Sequence, residues 1–377
     1  MRDGPIRLAM VGGGPGAFIG PVHRMAAELD GRFRLVAGAF SRDADRNAAA
    51  AKAWGARGYP DHRAMLAGEA AREDGAELVA VVTPNATHLE ISTAALEAGL
   101  HVMSDKPATR TLAEALRLER TVRGSGRLYG LAHVYTGYPM VREARERVAR
   151  GELGRIRKVV VEYAQGWLSE PVERSGSKQA AWRADPEQAG AGGCIGDIGV
   201  HAFNLAEFIV GEPVSRLCAD LAAVVPGRVL DDDCNVLLRF EGGARGVLIA
   251  SQICAGARND LNIQVYGERG GLSWSHERPS ELRLDWLDAP SQTLHGAATY
   301  LGAGAQAASR IPTGHPEGFI EAFANLYRGM ADALVEGRTD PAPVPGIAEG
   351  LRAMAFVERA VAASRDEAGW VALEAAA

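Results

Sequence analysis

Lysine, cysteine and aromatic side chains are scarce in this 377-residue chain: four lysines among 41 basic residues, four cysteines, and 6% Phe, Trp and Tyr together. The cysteines, Cys194, Cys218, Cys234 and Cys254, are far apart with no C-x-x-C pair, and the histidines do not cluster. Neither a zinc site nor a disulfide framework is indicated, and all four are expected as free thiols in packed positions. No run reaches the roughly 18 apolar residues of a membrane span. An apolar segment is already under way at Ile6, which leaves no room for a signal peptide, so a cytoplasmic protein is expected. A formal charge of −6 offers no positive field to a nucleic acid. With 47% apolar and 23% charged residues, what remains is an ordinary globular composition, in a chain long enough for two domains.

Against that scarcity Lys106 stands out, in Ser104-Asp105-Lys106-Pro107 after the apolar run Gly99 to Met103. A strand ending in a proline-fixed turn presents its last side chains at the carboxyl edge of a sheet, where open α/β sheets bind ligands. Arginine cannot serve as a compact, tunable ammonium, so a lysine at that edge suggests a need for that chemistry.

The first 130 residues repeat strand and helix. Ile6 to Val11 is followed by the glycine-rich turn Gly12 to Gly20 and a helical segment through Asp30. Strand, glycine turn and helix is the context a dinucleotide fingerprint needs, with Gly12, Gly14 and Gly16 in the turn and Phe18 and Ile19 at the helix start. A second strand, 34–40, ends in Ser41-Arg42-Asp43. At this tip a carboxylate suits the ribose of NAD and an arginine the extra phosphate of NADP; Ser41 and Arg42 tilt the reading slightly toward NADP. The buried-type strand 77–82 leads into Thr83-Pro84-Asn85 and His88, where Thr83 and Asn85 suit helix capping or cofactor contact. These repeats describe a doubly wound parallel sheet over 1–130.

Residues 131–377 change character. Strand candidates at 155–165, 217–225, 235–240, 244–252 and 261–266, joined by glycine turns, point to an antiparallel or mixed sheet, an α+β domain. Between Ala189 and Phe208 a glycine-rich turn precedes Asp197 and His201. Four apart, they share a face if the segment is helical, an acid–base arrangement.

The glycine turn, Thr83-Pro84-Asn85 with His88, Asp105-Lys106-Pro107, and Asp197-x-Gly199-x-His201 occur in the order and at the intervals that resemble the Gfo/Idh/MocA oxidoreductases, over nearly the whole chain. The resemblance implies a nicotinamide cofactor on an N-terminal Rossmann domain. It also implies a C-terminal domain with a large, mostly antiparallel open sheet that carries a polyol or sugar substrate. By this likeness Lys106 contacts the reacting oxygen, His201 transfers the proton and Asp197 binds substrate hydroxyls. Asp105 stands where the family more often has Glu, and Asn204 where it has Asp.

The chemistry implied is oxidation, or reverse reduction, of a secondary hydroxyl, with NAD or NADP and no metal. His133, Tyr135, Tyr138, Trp167, Lys178, Gln179, Trp182, Arg183, Asn204, Arg258, Asn259 and His315 are further substrate candidates, since sugars are held by aromatic stacking and polar hydrogen bonds. Two other readings share the resemblance: a glycosidase that oxidises its sugar transiently, and a cofactor-binding regulator without catalysis. An exposed sheet face of this size is normally covered, so a homodimer or homotetramer is expected, with neither nucleic acid nor membrane as partner.

Overall fold

The computed structural model describes residues 4–14, 16–176 and 178–373; the side chains of Lys178 and Gln179, two of the substrate candidates, lie outside the described set. Two compact units are present, one of residues up to 137 with 319–351, the other of 138–318 with the residues from 352 on.

In the first unit β1 (Ile6–Gly12), α1 (Ile19–Leu29), β2 (Phe33–Ala39), α2 (Ala44–Trp54), β3 (Arg57–Gly58), α3 (His62–Ala70), β4 (Leu78–Val82), α4 (His88–Glu97), β5 (His101–Ser104), α5 (Leu112–Ser125) and β6 (Tyr129–Leu131) alternate. Six parallel strands run in the order β3-β2-β1-β4-β5-β6. Every residue of β4 is buried, as a central strand covered on both faces requires. Local chemistry sets the helix ends: Asp43 and Thr111 accept the backbone N–H of Arg46 and Glu114 to start α2 and α5, and left-handed Gly55 and Gly126 stop them. The chain leaves β1 for β2 on one side and returns at β4 on the other, so the carboxyl ends of β1 and β4 form a topological switch point.

The second unit contains α6 (Pro139–Ala149), β7 (Ile156–Ala164), α7 (Lys178–Arg183), α8 (Pro186–Ala189), a π turn (Ile195–Gly199), α9 (Val200–Val210), β8 (Val214–Ala222), β9 (Asp233–Phe240), β10 (Arg245–Ser251), β11 (Asp260–Gly267), β12 (Gly270–Ser275), β13 (Glu281–Trp286), β14 (Gln292–His295) and α10 (Ala303–Ala307). Then come α11 (Phe319–Val335), α12 (Ile347–Arg365) and β15 (Val371–Ala372). The nine-stranded sheet runs β14-β13-β12-β11-β7-β10-β9-β8-β15, with β7 and β10 parallel. Its strands alternate: Cys234, Val236, Leu238 and Phe240 of β9 are buried while Asn235 and Leu237 are exposed. One face is thus covered by helices, chiefly the almost wholly buried α9. Within that layer Phe203 of α9 stacks on Phe356 of α12 with ring centroids 4.3 Å apart.

The cysteines are free, but they are not all packed away. Cys194 and Cys234 are buried, whereas Cys254 is exposed and Cys218 is half-buried. Alternation explains Cys218, which pairs in register with Leu237 on the outer face.

No helix among the described residues is long and apolar enough to cross a membrane.

Candidate functional site

At the switch point of the first unit the backbone comes unusually close to itself. A Cβ added to Gly13 would stand 2.6 Å from the Cα of Gly20, and one on Gly14 would stand 2.6 Å from the carbonyl oxygen of Phe40. Only glycine lets the first turn of α1 approach β1 this closely. The close pair is Gly13 with Gly20, which explains the enlarged loop; the sequence pattern singled out Gly12, Gly14 and Gly16 in a turn reaching Gly20, but not Gly13. Gly16 has open space around its Cα, and Phe18, 67% exposed, stacks on Phe319. The helix α1, starting at Ile19, has no side-chain cap and no acidic residue in its first turn. Uncapped N–H groups at a helix start beside a glycine turn fit the pyrophosphate of a dinucleotide.

Neighbouring loops complete this side. The Ser41 hydroxyl accepts the N–H of Asp43 at 3.1 Å, and the Asp43 carboxylate is taken up by the N–H of Arg46 at 2.9 Å, while Arg42 is exposed. After β4, Pro84 leads into a short 3-10 turn, Asn85–Thr87, and α4 begins without a side-chain cap, so neither Thr83 nor Asn85 caps it. The Thr83 hydroxyl instead accepts from Thr87 at 2.8 Å, and Asn85 is buried. His88 is buried with its ring nitrogens 2.7 Å from the carbonyl oxygens of Pro107 and Thr83, so it ties together the loops that follow β4 and β5.

On the β5 loop the Asp105 carboxylate accepts the N–H of Lys106 at 2.9 Å and lies 3.9 Å from His23 Nε2. Burial pushes the Asp105 carboxyl up, but the nearby His23 imidazole and the charges of Lys106 and His88 outweigh it and hold the group below its ordinary range. His23 is fixed in turn by the Tyr327 hydroxyl at 2.8 Å. His133 is buried, and that burial with the charge of Lys106 pushes it down to about 3, so it stands neutral. Tyr135 is buried in the short turn Val134–Gly137 that follows.

The second unit gathers a different set. Because β7 and β10 run parallel with Ala164 opposite Ser251, the next residue of each, Gln165 and Gln252, emerges at the same end. Strand β11 runs against β7 with Asp260 opposite Ala164, which brings Asn259 alongside. Three strands therefore deliver three amides in a row. Gln252 donates to Asp197 Oδ2 at 2.9 Å and to Gln165 Oε1 at 3.3 Å, and Gln165 donates to Asn259 Oδ1 at 2.6 Å. The Tyr163 hydroxyl donates to the same Asn259 oxygen at 2.7 Å, and Asn259 leads on to His276, which meets the Tyr138 hydroxyl at 3.0 Å. On its other side Asp197 receives Arg183 Nε at 3.1 Å, and the Arg183 guanidinium lies 4.2 Å from the ring of Trp182.

Asp197 sits in the π turn and His201 in the first turn of α9, with the His201 ring 6.4 Å from that of Tyr163. π turns are frequent at functional sites. Asn204, buried, follows one turn later. Trp167 is 38% exposed and its Nε1 donates to Gln165 Oε1 at 2.9 Å. Arg258 and His315 are placed otherwise: exposed Arg258 faces Glu277 at 3.5 Å, and His315 lines a hollow with Tyr138, Pro279 and Ala297.

Asp231 was not singled out in the sequence. Its carboxylate accepts the N–H of Gly193 at 2.6 Å and of Ile195 at 2.7 Å, holding the turn from which Asp197 is presented. Burial pushes Asp231 up to about 6 against those donors, with the charge of Asp232 adding to the rise. An unfolded Asp titrates near about 4, so between these values the folded state holds a proton the unfolded chain has lost. The contribution to stability is full below about pH 4 and is lost as pH rises through about 6. Asp231→Asn removes that titration. Denaturant melts at several pH values should therefore show the margin of wild type over variant shrinking from pH 4 to pH 7; a constant margin would refute the assignment.

Residues 6–133 match the family model described as an oxidoreductase family with an NAD-binding Rossmann fold, and residues 141–273 match the GFO/IDH/MocA C-terminal domain. The oxidoreductase YfiI of Bacillus subtilis (strain 168) is 34% identical over 97% of this chain and 96% of its own length.

The chain belongs to the Gfo/Idh/MocA family of oxidoreductases.

Among other Gfo/Idh/MocA-like relatives, levoglucosan dehydrogenase of Pseudarthrobacter phenanthrenivorans is 26% identical over 81% of this chain and 86% of its own. An inositol dehydrogenase homolog from Azotobacter vinelandii, solved with NADH and myo-inositol, superposes with a TM-score of 0.90 at 39% identity, covering 98% of each chain. The glycine cradle is thus the NAD-binding half of a Gfo/Idh/MocA oxidoreductase, and the amide row lies on its C-terminal domain.

Proposed function

We propose that this oxidoreductase oxidises, or in reverse restores, a secondary hydroxyl of a cyclic polyol, sugar or glycoside. The reading is carried by the hydrogen-bonded row of Asp197, Gln252, Gln165 and Asn259 beside His201: neutral amides around one engaged carboxylate suit a ligand made of hydroxyl groups. The relatives named for inositol and for levoglucosan support it. A bound nicotinamide supplies the hydride acceptor. His201 takes the hydroxyl proton, Lys106 stabilises charge building on the oxygen, and Asp197, steadied by Arg183 and Gln252, orients the ring.

The test is the near-ultraviolet absorbance of reduced nicotinamide, with inositols, aldoses and alkyl or aryl glycosides offered in turn. A rise with one of them is expected. Cofactor-dependent release of an aglycone without any rise would move the reading to a redox-assisted glycosidase, and tight cofactor binding without turnover to a regulator.

For the cofactor we propose that the β2 tip admits NADP as well as NAD. Asp43 is engaged in starting α2, which leaves Ser41 and Arg42 to meet the ribose. Losing a charge-assisted hydrogen bond of about 1.5–3 kcal/mol, Arg42→Ala should lower kcat/KM with NADP about ten- to a hundredfold and far less with NAD. Equal losses with both cofactors would remove Arg42 from this role.

We also propose a homo-oligomer. Cys218, Leu237, Val247 and Val160 lie side by side across β8, β9, β10 and β7 on the face opposite α9, and Leu237 is 46% exposed. A second copy covering this row would bury it. Light scattering should return a dimer or tetramer; a monomer at micromolar concentration would overturn the proposal.

A further inference from the structure

Trp167 is an exposed indole that cannot retreat. The backbone around it is pinned on both sides: Gly166 N–H donates to the Ala257 carbonyl at 2.9 Å and Leu168 N–H to the Gln252 carbonyl at 3.1 Å. Gly166 itself is so close to the neighbouring loop that a Cβ there would stand 2.6 Å from the carbonyl oxygen of Cys254. The indole N–H is fixed on Gln165, so the ring is held in orientation as well as position. A single exposed apolar side chain is ordinary. A locked one, joined through Gln165 to the row that ends at Asp197, is a prearranged surface on which a ligand loses little side-chain entropy.

The surroundings define what that surface would take. The Arg183 guanidinium lies 6.0 Å from the Trp167 ring and 4.2 Å from the Trp182 ring, and its charge is met by Asp197 at 3.1 Å. With the guanidinium already paired and stacked, the platform favours a neutral partner over a carboxylate or phosphate. Arg183 also stands between the indole and Asp197. A ring whose hydroxyls are held by Asp197 is therefore one guanidinium away from the Trp167 face, and the indole meets whatever group is linked to that ring.

We infer that Trp167 forms a second, neutral subsite for an aglycone or second ring, so that the preferred substrate is a glycoside rather than a free polyol. This rests on reading Asp197 and His201 as the substrate-binding side.

The test compares phenyl and methyl glucosides with wild type, Trp167→Ala and Trp167→Phe. Initial rates of reduced-nicotinamide formation are read beside calorimetric binding, with far-ultraviolet dichroism as the check on folding. Wild type is expected to prefer the phenyl glucoside. Trp167→Ala should erase that preference, lowering kcat/KM for the phenyl glucoside about tenfold more than for the methyl one, mainly through KM, and Phe should restore part of it. Equal losses on the two glucosides, or a wild type indifferent between them, would overturn the subsite while leaving the dehydrogenase reading standing. Binding of the phenyl glucoside that depends on Trp167, with no turnover of either glucoside, would support the subsite and count against the dehydrogenase reading. Absence of binding by calorimetry would overturn the subsite.

Discussion

His201→Ala should fold normally and lose about 10²- to 10⁴-fold in kcat, the usual contribution of a positioned general base. Alanine is the best helix former, so the first turn of α9 tolerates it, and its neighbours Ala202, Phe203 and Leu205 keep the helix buried. KM should change little, because the residue acts on a proton in flight rather than on ground-state binding. Asp197→Asn should behave in the opposite way, raising KM with a smaller change in kcat, since the amide keeps an acceptor for Arg183 and Gln252 but loses the charge. Steady-state rates with matched melting curves decide both. A folded His201→Ala protein with full turnover would remove the histidine from the chemistry.

The second large effect is on stability. Phe203 and Phe356 stack with planes 10° apart, and both are 1% exposed or less. Phe356→Ala should cost about 3–5 kcal/mol, the transfer free energy of the ring plus the void left behind. The void would open under the helix that carries His201 and Asn204, so kcat should fall as well. Urea unfolding monitored by dichroism measures it. A loss below about 1 kcal/mol would mean that the layer closes around the gap and that the stack does not anchor α9.

The two halves of the molecule were unequally legible in the sequence. In the first unit the signals are local. The run 6–11 reads as a strand because it is apolar and ends in glycine, and the structure has β1 at Ile6–Gly12. Helix α2, Ala44–Trp54, is local in the same way, since Asp43 and Gly55 mark its ends in the sequence itself. The sheet of the second unit was expected from hairpin-like turns, and it is mostly antiparallel as expected. Its strands β12 to β14 were not read, because short segments such as Glu281–Trp286 are set by their neighbours more than by their own pattern.

The Asp197–His201 spacing places the two on one face only if the segment is a regular helix, whereas Asp197 lies in the π turn and His201 in α9. Of the three amides Asn259 was among the candidates, and the other two were the larger omission. Gln165 and Gln252 are 87 residues apart, and only the parallel register of β7 and β10 makes them neighbours. The available signal was the one that drew attention to Lys106, a polar residue directly after an apolar strand, and it could have been applied to the second half.

The first unit is discontinuous along the chain. Helix α11, Phe319–Val335, sends Phe323 and Tyr327 against His23 of α1, with ring centroids 4.9 Å and 5.8 Å apart, and Tyr327 against Phe33 at 5.4 Å. Arg328 reaches Asp30 in the same region at 3.0 Å. During synthesis, α1 and β2 leave the ribosome nearly 300 residues before the helix that covers them. Until then the nascent chain carries an uncovered apolar patch around His23 and Phe33, a hazard for association with other chains. Chaperone demand should therefore last until α11 emerges, and release of chains that stop before Phe319 should yield an aggregation-prone nucleotide-binding half.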